Sequence, residues 1–523
     1  MDRVFGLSLL LVLLLFDKNN SEASCPARCQ CFTPAQVLCA DERMSSLPKN
    51  VSRQVKEFIL MTSSVSYLFI NTLQESPQLT TLILLNNALR SIHVHALDHL
   101  TELQELEISG NPMLEHLFLG TFSKQSNLTK LLLNFNRFRT VLPGMFDSLK
   151  QLHTLQMKGN LISQLPPLIF LHLPNLRVLD LSQNKLTDLR SDIFSGLDRL
   201  EVLKINNNLI SNLTSDMFQN ISQLAELNLE GNQITELSEN VFSGLAKLQV
   251  LNLRGNLLTT FSDEVLGSDP LNLKELNLKG NRLTEVTSLS RLTSLTDLIL
   301  SSNQLFSLPE DAFKNLTNLE TVDLSENQLS SLPETIFHQL FNIKAIHLNK
   351  NNLSKVEANL FQDQMLIQQL YLSDNQLETL PFGLMDTFVL QHIVRLHGNP
   401  WKCDCHMWYM HDWVLKYSQD IEMLDNLLCD SPDFLRRHTV ISVAKDQLVC
   451  QISEDHLPDL SRCVLHASGD TMTIKCRVTK CSPLTVKVQF QEDGGSLWEH
   501  VIKNQGSESS NCSNETTTGN PFE

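Results

Sequence analysis

The chain has 523 residues and is acidic, with 41 Lys and Arg against 58 Asp and Glu and a formal net charge of −17. Because no basic block offsets this charge, nucleic acid and anionic membrane surfaces are poor candidate partners. The 18 glycines and 18 prolines are too few for a collagen-like or Pro/Gly-rich disordered chain, and a hydrophobic content of 42% is ample for a large core.

The N-terminal segment has the features of a secretion signal. Arg3 precedes an apolar run over residues 4–16, which is too short to cross a bilayer and matches the length of a signal-peptide core. Ser21 and Ala23 form a small-x-small pair, so we predict a signal peptide over residues 1–23. No later apolar run reaches 18 residues. We therefore expect a secreted, extracellular protein without membrane insertion.

The twelve cysteines form three local sets of four, with none between Cys39 and Cys403. Even, local sets are typical of disulfide frameworks in oxidising compartments. The alternative is a metal site, because the first three cysteines are spaced like a thiolate cluster, but the secretion signal favours disulfides. Spacing alone leaves three pairings open in each set. The sets are Cys25, Cys29, Cys31 and Cys39; Cys403, Cys405, Cys429 and Cys450; and Cys463, Cys476, Cys481 and Cys512.

A repeat of about 24 residues occupies residues 55–400. Its unit reads Leu-x-x-Leu-x-Leu-x-x-Asn-x-Leu, and Ser63 takes the Asn position in the first of about 15 units. The Leu-x-Leu pairs predict short parallel strands with inward leucines, and each Asn amide is expected to bond backbone groups in the following turn. The asparagines are Asn87, Asn111, Asn136, Asn160, Asn184, Asn208, Asn232, Asn256, Asn281, Asn303, Asn327, Asn351, Asn375 and Asn399.

A phenylalanine recurs ten residues after the Asn in many units. The fixed period predicts a buried aromatic row behind the strands and favours this over an aromatic ligand site. The row consists of Phe146, Phe170, Phe194, Phe218, Phe242, Phe313, Phe337 and Phe361.

The two ends of such a stack expose core and need lids. The first two cysteine sets predict these caps at residues 24–54 and 401–451. In the second cap we expect Trp401 to cover the last leucine layer. Trp408, Trp413 and Leu415 indicate a short amphipathic helix.

After the second cap the period stops. Residues 471–478 and 484–490 alternate with period two around a turn at 480–483, which predicts a hairpin. We expect a small disulfide-stapled β module over residues 452–505, followed by a disordered Ser/Thr/Asn-rich tail at 506–523.

The repeats and their flanking cysteines, from Cys25-Pro-x-x-Cys29-x-Cys31 to Asn399-Pro-Trp-x-Cys403-Asp-Cys405, resemble the extracellular leucine-rich-repeat family. The resemblance implies an α/β leucine-rich-repeat solenoid, a curved horseshoe with a parallel β-sheet on its concave face and an irregular or 3-10 convex side. It also implies four disulfides in the caps, namely Cys25–Cys31, Cys29–Cys39, Cys403–Cys429 and Cys405–Cys450.

Catalytic chemistry finds little support in the sequence. His99-Leu-Thr-Glu102 has the His-x-x-Glu spacing of a zinc site, but it falls on ordinary repeat surface and lacks a third ligand and a general base. His406 and His411 lie in the second cap and are better explained as exposed or hydrogen-bonded histidines. We therefore expect no enzyme activity, no metal and no cofactor.

Function is then expected from surfaces, and a stack of strands offers a rigid concave face for a protein partner. Apolar side chains near the start, such as Ile59 and Ile83, pack under the first cap or serve as anchors. The mixed charges favour a protein over a polyanion. The candidate partner-binding residues are Leu132, Phe135, Lys158, Asp180, Lys204, Glu230, Arg254, Ile299, Asp323, His347, Tyr371 and Arg395.

Eight Asn-x-Ser/Thr sequons lie beyond the predicted signal peptide and predict a glycoprotein. They are Asn50, Asn127, Asn212, Asn220, Asn315, Asn352, Asn511 and Asn514.

The repeat count and the additional cysteine module Cys463/Cys476/Cys481 resemble the regulatory, non-catalytic subunits of plasma zinc carboxypeptidases. That resemblance implies a plasma protein that holds and stabilises a catalytic zinc carboxypeptidase subunit. It implies a heterotetramer of two catalytic and two regulatory chains. Two alternatives remain, an inhibitor resembling the leucine-rich phospholipase A2 inhibitors and a matrix or cell-surface ligand-binding protein.

Overall fold

The computed structural model describes residues 25–49, 51–268 and 272–450, and the backbone of four later strands. Its contacts divide the chain into two compact units, Met1–Leu448 and Val449–Glu523. The predicted signal peptide, Asn50 and the predicted tail lie outside the described residues.

A 17-stranded sheet runs through the described part of the first unit. From Gln36 onward each strand pairs in parallel with the next, one strand per repeat, without a shift of register. Its strands are Cys29–Thr33, Gln36–Ala40, Glu57–Met61, Thr81–Leu85, Glu105–Ser109, Lys130–Leu132, Thr154–Gln156, Val178–Asp180, Val202–Lys204, Glu226–Asn228, Val250–Asn252, Glu275–Asn277, Asp297–Ile299, Thr321–Asp323, Ala345–His347, Gln369–Tyr371 and Ile393–Arg395.

The convex side consists mostly of turns. Two pairs of two-residue strands lie there, Tyr67–Leu68 with Ser91–Ile92 and Thr260–Phe261 with Glu285–Val286. A 3-10 turn, Asp263–Leu266, follows the strand Thr260–Phe261 in sequence. The Ser262 hydroxyl caps this turn by accepting a hydrogen bond from the Glu264 N–H.

Asparagine side chains link successive repeats, as the sequence predicts. The Asn208 Nδ2 donates to the carbonyls of Leu181 and Ile205 at 3.1 and 3.0 Å, and its Oδ1 accepts from the Leu186 N–H at 3.0 Å. The pattern recurs to Asn399. Ser63 begins the series by donating from its hydroxyl to Asn87 Oδ1 at 2.7 Å. Buried turn groups that would otherwise lack partners are thereby satisfied.

The residue before each ladder asparagine adopts a left-handed backbone. Glycine fills this position in several repeats, Gly159 and Gly231 among them, because it carries no Cβ. Phe135 occupies it with a φ of 53°. Its ring lies over Gly159, where an added Cβ would stand 2.5 Å from Phe135 Cδ1. Phe135 therefore projects from a turn rather than from the preceding strand, which corrects the prediction that it faces outward along that strand.

The predicted phenylalanine row is confirmed. All eight side chains are fully buried, and five pairs of neighbouring rings stack with centroids 5.8–6.3 Å apart. Phe122 is buried in the same way one repeat before Phe146. The row is interrupted between Phe242 and Phe313, where smaller apolar residues such as Leu266 and Leu289 are buried instead.

The N-terminal cap is a hairpin of Cys29–Thr33 and Gln36–Ala40, whose second strand starts the parallel stack. Disulfides join Cys25 to Cys31 and Cys29 to Cys39, as the family resemblance implied. The hairpin thus covers the first leucine layer with a covalently closed unit.

In the C-terminal cap, Cys403 is bonded to Cys429, while Cys405 and Cys450 are both disulfide-bonded. Trp401 is completely buried, and its Nε1 donates to the Leu396 carbonyl at 3.0 Å. The short strands Trp401–Lys402 and Cys429–Ser431 pair in parallel.

The predicted cap helix spans Trp408–Lys416. It buries Met410, His411, Trp413 and Val414. Of the three residues that indicated the helix, Trp413 lies on its buried face, whereas Trp408 and Leu415 are exposed. The remaining cap elements are 3-10 turns at Cys405–Met407, Ser418–Asp420, Leu424–Asn426, Val440–Ser442 and Lys445–Gln447.

The four described strands of the second unit form two antiparallel hairpins. Cys463–Ser468 pairs with Thr471–Cys476, and Thr485–Gln491 pairs with Leu497–Lys503. Both predicted strands exist, but the prediction that they pair with each other is wrong. Each has a closer partner in sequence, and a short connection closes a hairpin at lower entropic cost.

Candidate concave binding face

The outward side of the main sheet, here called the concave face, presents a central row of side chains in register. Along the stack this row is filled by Leu132, Gln156, Asp180, Lys204, Asn228, Asn252, Asn277, Ile299, Asp323, His347, Tyr371 and Arg395. Eight of the twelve candidate residues therefore share one row. Lys158, Glu230 and Arg254 lie beside it, three residues after the inward leucine of their strands.

Two members of the row are poorly available to a partner. Leu132 and Asp180 are each only 8% exposed. The Asp180 carboxylate also accepts from the Ser182 backbone N–H at 2.9 Å and from the Ser182 hydroxyl at 2.5 Å. Asp180 therefore stabilises the turn that follows its own strand.

Charged groups on and beside this face are largely paired between neighbouring repeats. Lys204 lies 3.4 Å from Glu226, and Arg254 lies 3.7 Å from Glu230. Further pairs are Lys130–Glu105, Lys344–Glu320 and Lys350–Glu326. All are partly exposed, so each contributes little to stability. Because opposite charges are paired, the concave face is polar but has no strong positive or negative electrostatic potential.

The C-terminal end of the row carries a stack of flat side chains. The rings of His347 and Tyr371 are parallel within 7°, with centroids 4.3 Å apart. The Arg395 guanidinium lies 3.9 Å from the Tyr371 centroid and forms a 2.5 Å ion pair with Glu422 of the cap. At the other end, His347 Nε2 is 3.1 Å from Gln369 Oε1. Both ends of the stack are therefore held in place.

A second aromatic group stands near the N-terminal third. Phe135 is 52% exposed, and the ammonium of Lys158 lies 5.7 Å from its ring centroid. A large, half-exposed ring held by a glycine contact and a cation fits the role of an anchor in a protein interface.

Two acidic groups on this face have raised pKa values. Burial raises the pKa of Glu107 above its ordinary value of 4.5, although a hydrogen bond from Ser109 and the charge of Lys130 oppose the shift. Burial also raises the pKa of Glu275, and the carboxylate of Asp297 on the adjacent strand raises it further. Desolvation of the charged form is the cause in both cases.

The histidines considered as zinc ligands lie outside the strands of the concave face. His99 is half-buried in the loop before a strand, while Glu102 is exposed. Among the described residues, one group of potential metal ligands comes together, Asp404, Cys405, His406 and Cys450. Its two cysteines are disulfide-bonded and so cannot act as thiolate ligands. His411 is buried, and its Nε2 lies 2.8 Å from the Val443 carbonyl.

Five predicted glycan acceptors fall on exposed positions outside the strands, namely Asn127, Asn212, Asn220, Asn315 and Asn352. Asn50, Asn511 and Asn514 lie outside the described residues. No helix in the described part of the chain has the length and apolar character needed to span a membrane.

Sequence reasoning missed the contribution of Glu422. It lies 27 residues beyond Arg395, in a cap segment without the repeat pattern, so no spacing connects the two. It also missed a cluster of exposed aromatic residues on the convex side, including Phe69 and Phe118. Aligning the repeats would have revealed these residues, because no unit beyond that of Phe118 carries an aromatic residue at the position of Phe69.

The geometry defines the class of protein by its fold, a leucine-rich-repeat solenoid. The leucine-rich-repeat family model matches residues 126–186, 150–210, 174–234, 198–258, 222–283, 293–348 and 317–377. A leucine-rich-repeat protein of Leptospira interrogans is similar in structure, with a TM-score of 0.62 and 29% identity over 72% of this chain and 92% of that one. The Drosophila Toll–Spatzle complex has a TM-score of 0.68 at 22% identity, over 85% of this chain and 61% of the other, which shows the fold alone.

More particularly, the chain is similar to carboxypeptidase N subunit 2. The human protein is 33% identical over 127 residues, and the mouse protein is 33% identical over 139 residues. These matches cover 20% and 22% of this chain, and 23% and 25% of the relatives. The chain thus spans about a quarter of the length of the curated relatives it matches. The rat platelet glycoprotein Ib beta chain is 39% identical over 69 residues, 13% of this chain and 33% of that protein.

Proposed function

We propose that this chain is a secreted, non-catalytic regulatory subunit that binds and stabilises a zinc carboxypeptidase through its concave face. The observation that carries the proposal is the similarity to carboxypeptidase N subunit 2. The fold is consistent with this role, since a pre-formed sheet loses little conformational entropy when it binds a partner.

Within this proposal, the stack of His347, Tyr371 and Arg395 is the principal contact. Tyr and Arg are the residue types that most often dominate protein interfaces, because each offers a large flat surface with a polar end. The rings are already parallel, and the ion pair with Glu422 holds the guanidinium over Tyr371. A partner therefore meets an ordered platform. Phe135 would supply a second anchor toward the other end of the face.

The partner, in this reading, is a catalytic zinc carboxypeptidase subunit in blood plasma, assembled as two catalytic and two regulatory chains. The paired charges along the face suit a protein of mixed surface charge better than a polyanion. The exposed sequons suit a circulating glycoprotein.

The test is affinity capture from plasma with the tagged, secreted chain, followed by mass spectrometry and an assay of C-terminal Arg and Lys release from peptides. We expect a zinc carboxypeptidase in the eluate. Tyr371→Ala should reduce its capture at least tenfold. Arg190→Ala, which removes an exposed ion pair with Asp192 outside the sheet, should leave capture unchanged. An eluate without carboxypeptidase and without Arg or Lys release would refute the proposal.

A second candidate function is ligand binding of the cell-surface or matrix type. The partial similarity to the platelet glycoprotein Ib beta chain favours it. Capture of a matrix or surface protein in place of a carboxypeptidase, with the same dependence on Tyr371, would select this alternative.

A further inference from the structure

An apolar groove on the convex side of the first three repeats is separate from the concave face. Its walls and floor are formed by Tyr67, Leu68, Phe69, His93, Val94 and Phe118. Phe69 is 70% exposed, and Ile70 and Leu119, which follow Phe69 and Phe118 in sequence, are more than half exposed. We call this feature the outer groove. A contiguous apolar patch that is open to solvent usually marks an interaction site.

The repeat does not require apolar side chains at these positions. Phe69, His93 and Phe118 follow the buried residue of the convex side in three successive repeats. Leu142 and Pro166 take the same position in the next two repeats, and the polar residues Arg190, Thr214 and Ser238 take it in the three after those, where the core is buried in the same way. Packing therefore does not explain the aromatic residues of the first repeats.

The groove is pre-formed by the backbone. Tyr67–Leu68 and Ser91–Ile92 pair in parallel beneath it, and the His93 N–H donates to the Leu68 carbonyl at 2.9 Å. The rings of Tyr67 and Phe69 lie 6.2 Å apart, and His116 meets Phe118 edge-on at 5.2 Å.

The charge around the groove differs from that of the whole chain. None of the lining residues is acidic, although the chain carries a net charge of −17. Exposed Arg90 immediately precedes groove residue Ser91, and exposed Arg139 occupies the same repeat position two units later. The repeat between them carries an acidic residue, Glu115, but its carboxylate forms an ion pair with Arg137 at 3.4 Å.

We infer that the outer groove binds a segment of a partner protein that carries apolar side chains flanked by carboxylates. The aromatic walls would take the apolar side chains, and Arg90 and Arg139 would face the carboxylates. An anionic membrane fits less well, because the binding residues line a recess and the strongly acidic chain is repelled by an anionic surface. This site is independent of the carboxypeptidase proposal, since it uses the opposite side of the repeats.

The probes are two labelled 12-residue peptides that share one pattern of Phe and Leu, with Glu in the remaining positions of one and Lys in those of the other. Binding to the full secreted chain is measured by fluorescence anisotropy. We expect the Glu peptide to bind and the Lys peptide to bind at least tenfold more weakly. Phe69→Ser combined with Phe118→Ser should weaken the Glu peptide at least tenfold. Arg90→Glu combined with Arg139→Glu should reverse the preference between the peptides.

Phe382→Ser is the matched control. Phe382 is 83% exposed and occupies the repeat position of Ile70 far along the stack, so its loss should not change peptide binding. Thermal unfolding followed by circular dichroism checks that each variant is folded. Absence of binding, equal binding of both peptides, or equal loss in Phe382→Ser overturns the inference. Binding to phosphatidylserine vesicles in place of the Glu peptide overturns it as well.

Discussion

Asn208 shows how one side chain joins two consecutive repeats. It is buried and forms four hydrogen bonds with backbone groups, two of them in the preceding repeat. Asn208 contributes little to hydrophobic burial. Its role is to provide hydrogen-bond partners for the backbone polar groups of the turn. An amide suits the position because it both donates and accepts.

We predict that Asn208→Ala lowers the free energy of unfolding by about 2–3 kcal/mol, because buried backbone groups lose their partners. Urea denaturation measures the change. The control is Asn206→Ala, at a half-exposed neighbouring position, which should change stability by less than about 0.5 kcal/mol. Equal effects of the two substitutions would contradict the role given to the ladder.

Glu107 is expected to make the stability of the folded chain depend on pH. Burial raises its pKa above 4.5, so the folded chain binds this proton more tightly than the unfolded chain does. The charged form therefore opposes folding, and its penalty develops as pH rises from 4.5 through the raised pKa. Glu107→Gln should be more stable than the parent chain at pH 7 and indistinguishable from it below pH 4. Denaturation midpoints across this pH range test it, and a variant less stable at pH 7 would contradict the sign.

At the scale of elements, the phenylalanine row and the cap helix connect the repeats behind the sheet. Phe218 stacks on both Phe194 and Phe242, at 6.2 and 5.8 Å. At the C-terminal end, the Tyr409 hydroxyl accepts from the Met385 N–H at 2.8 Å and donates to the Asp386 carboxylate at 3.0 Å. Burial raises the pKa of Tyr409, which keeps this hydroxyl protonated.

We predict that Phe218→Ala costs about 3–5 kcal/mol, because a buried ring with a stacked neighbour on each side leaves a cavity that the rigid turns cannot fill. Phe218→Leu should cost less, since leucine-sized residues fill the row's natural interruption. Thermal and chemical denaturation compare the two. A cost for Phe218→Ala no greater than for Phe218→Leu would show that the row adapts to a missing ring.

At the scale of the whole molecule, stability is shared between neighbours along one dimension. Each repeat contacts the next through parallel strands, ladder asparagines and stacked rings, so the terminal units depend on their caps. The N-terminal hairpin and the C-terminal cap close the stack with disulfides at both ends of the described solenoid.

We predict that replacing Cys29 and Cys39 with serine loosens the first repeats selectively. Loss of the bridge removes about 2–4 kcal/mol from the cap. Hydrogen exchange should accelerate at Glu57–Met61 and Thr81–Leu85 and remain unchanged at Val250–Asn252 in the centre of the stack. Uniform acceleration along the chain would show that the solenoid unfolds as one cooperative unit instead.

Periodic and local features were predictable from the sequence. The repeat defined the parallel sheet, the inward leucines, the ladder from Ser63 to Asn399 and the buried phenylalanines, because each depends on spacing within one unit. The family resemblance implied the pairs of Cys25, Cys29 and Cys403 with their partners. Repeated units stack in one way, so local spacing is sufficient to determine their relative positions.

Contacts that do not recur from one unit to the next required the tertiary structure. It decided that Arg395 pairs with Glu422, that Phe135 projects from a left-handed turn and that Asp180 is bonded within its own turn. It also decided which strands pair beyond residue 462 and that the convex aromatic residues form one groove. The physical reason is that periodicity assigns a side chain to a face, whereas its partner depends on the identity and conformation of individual side chains, which do not recur from unit to unit.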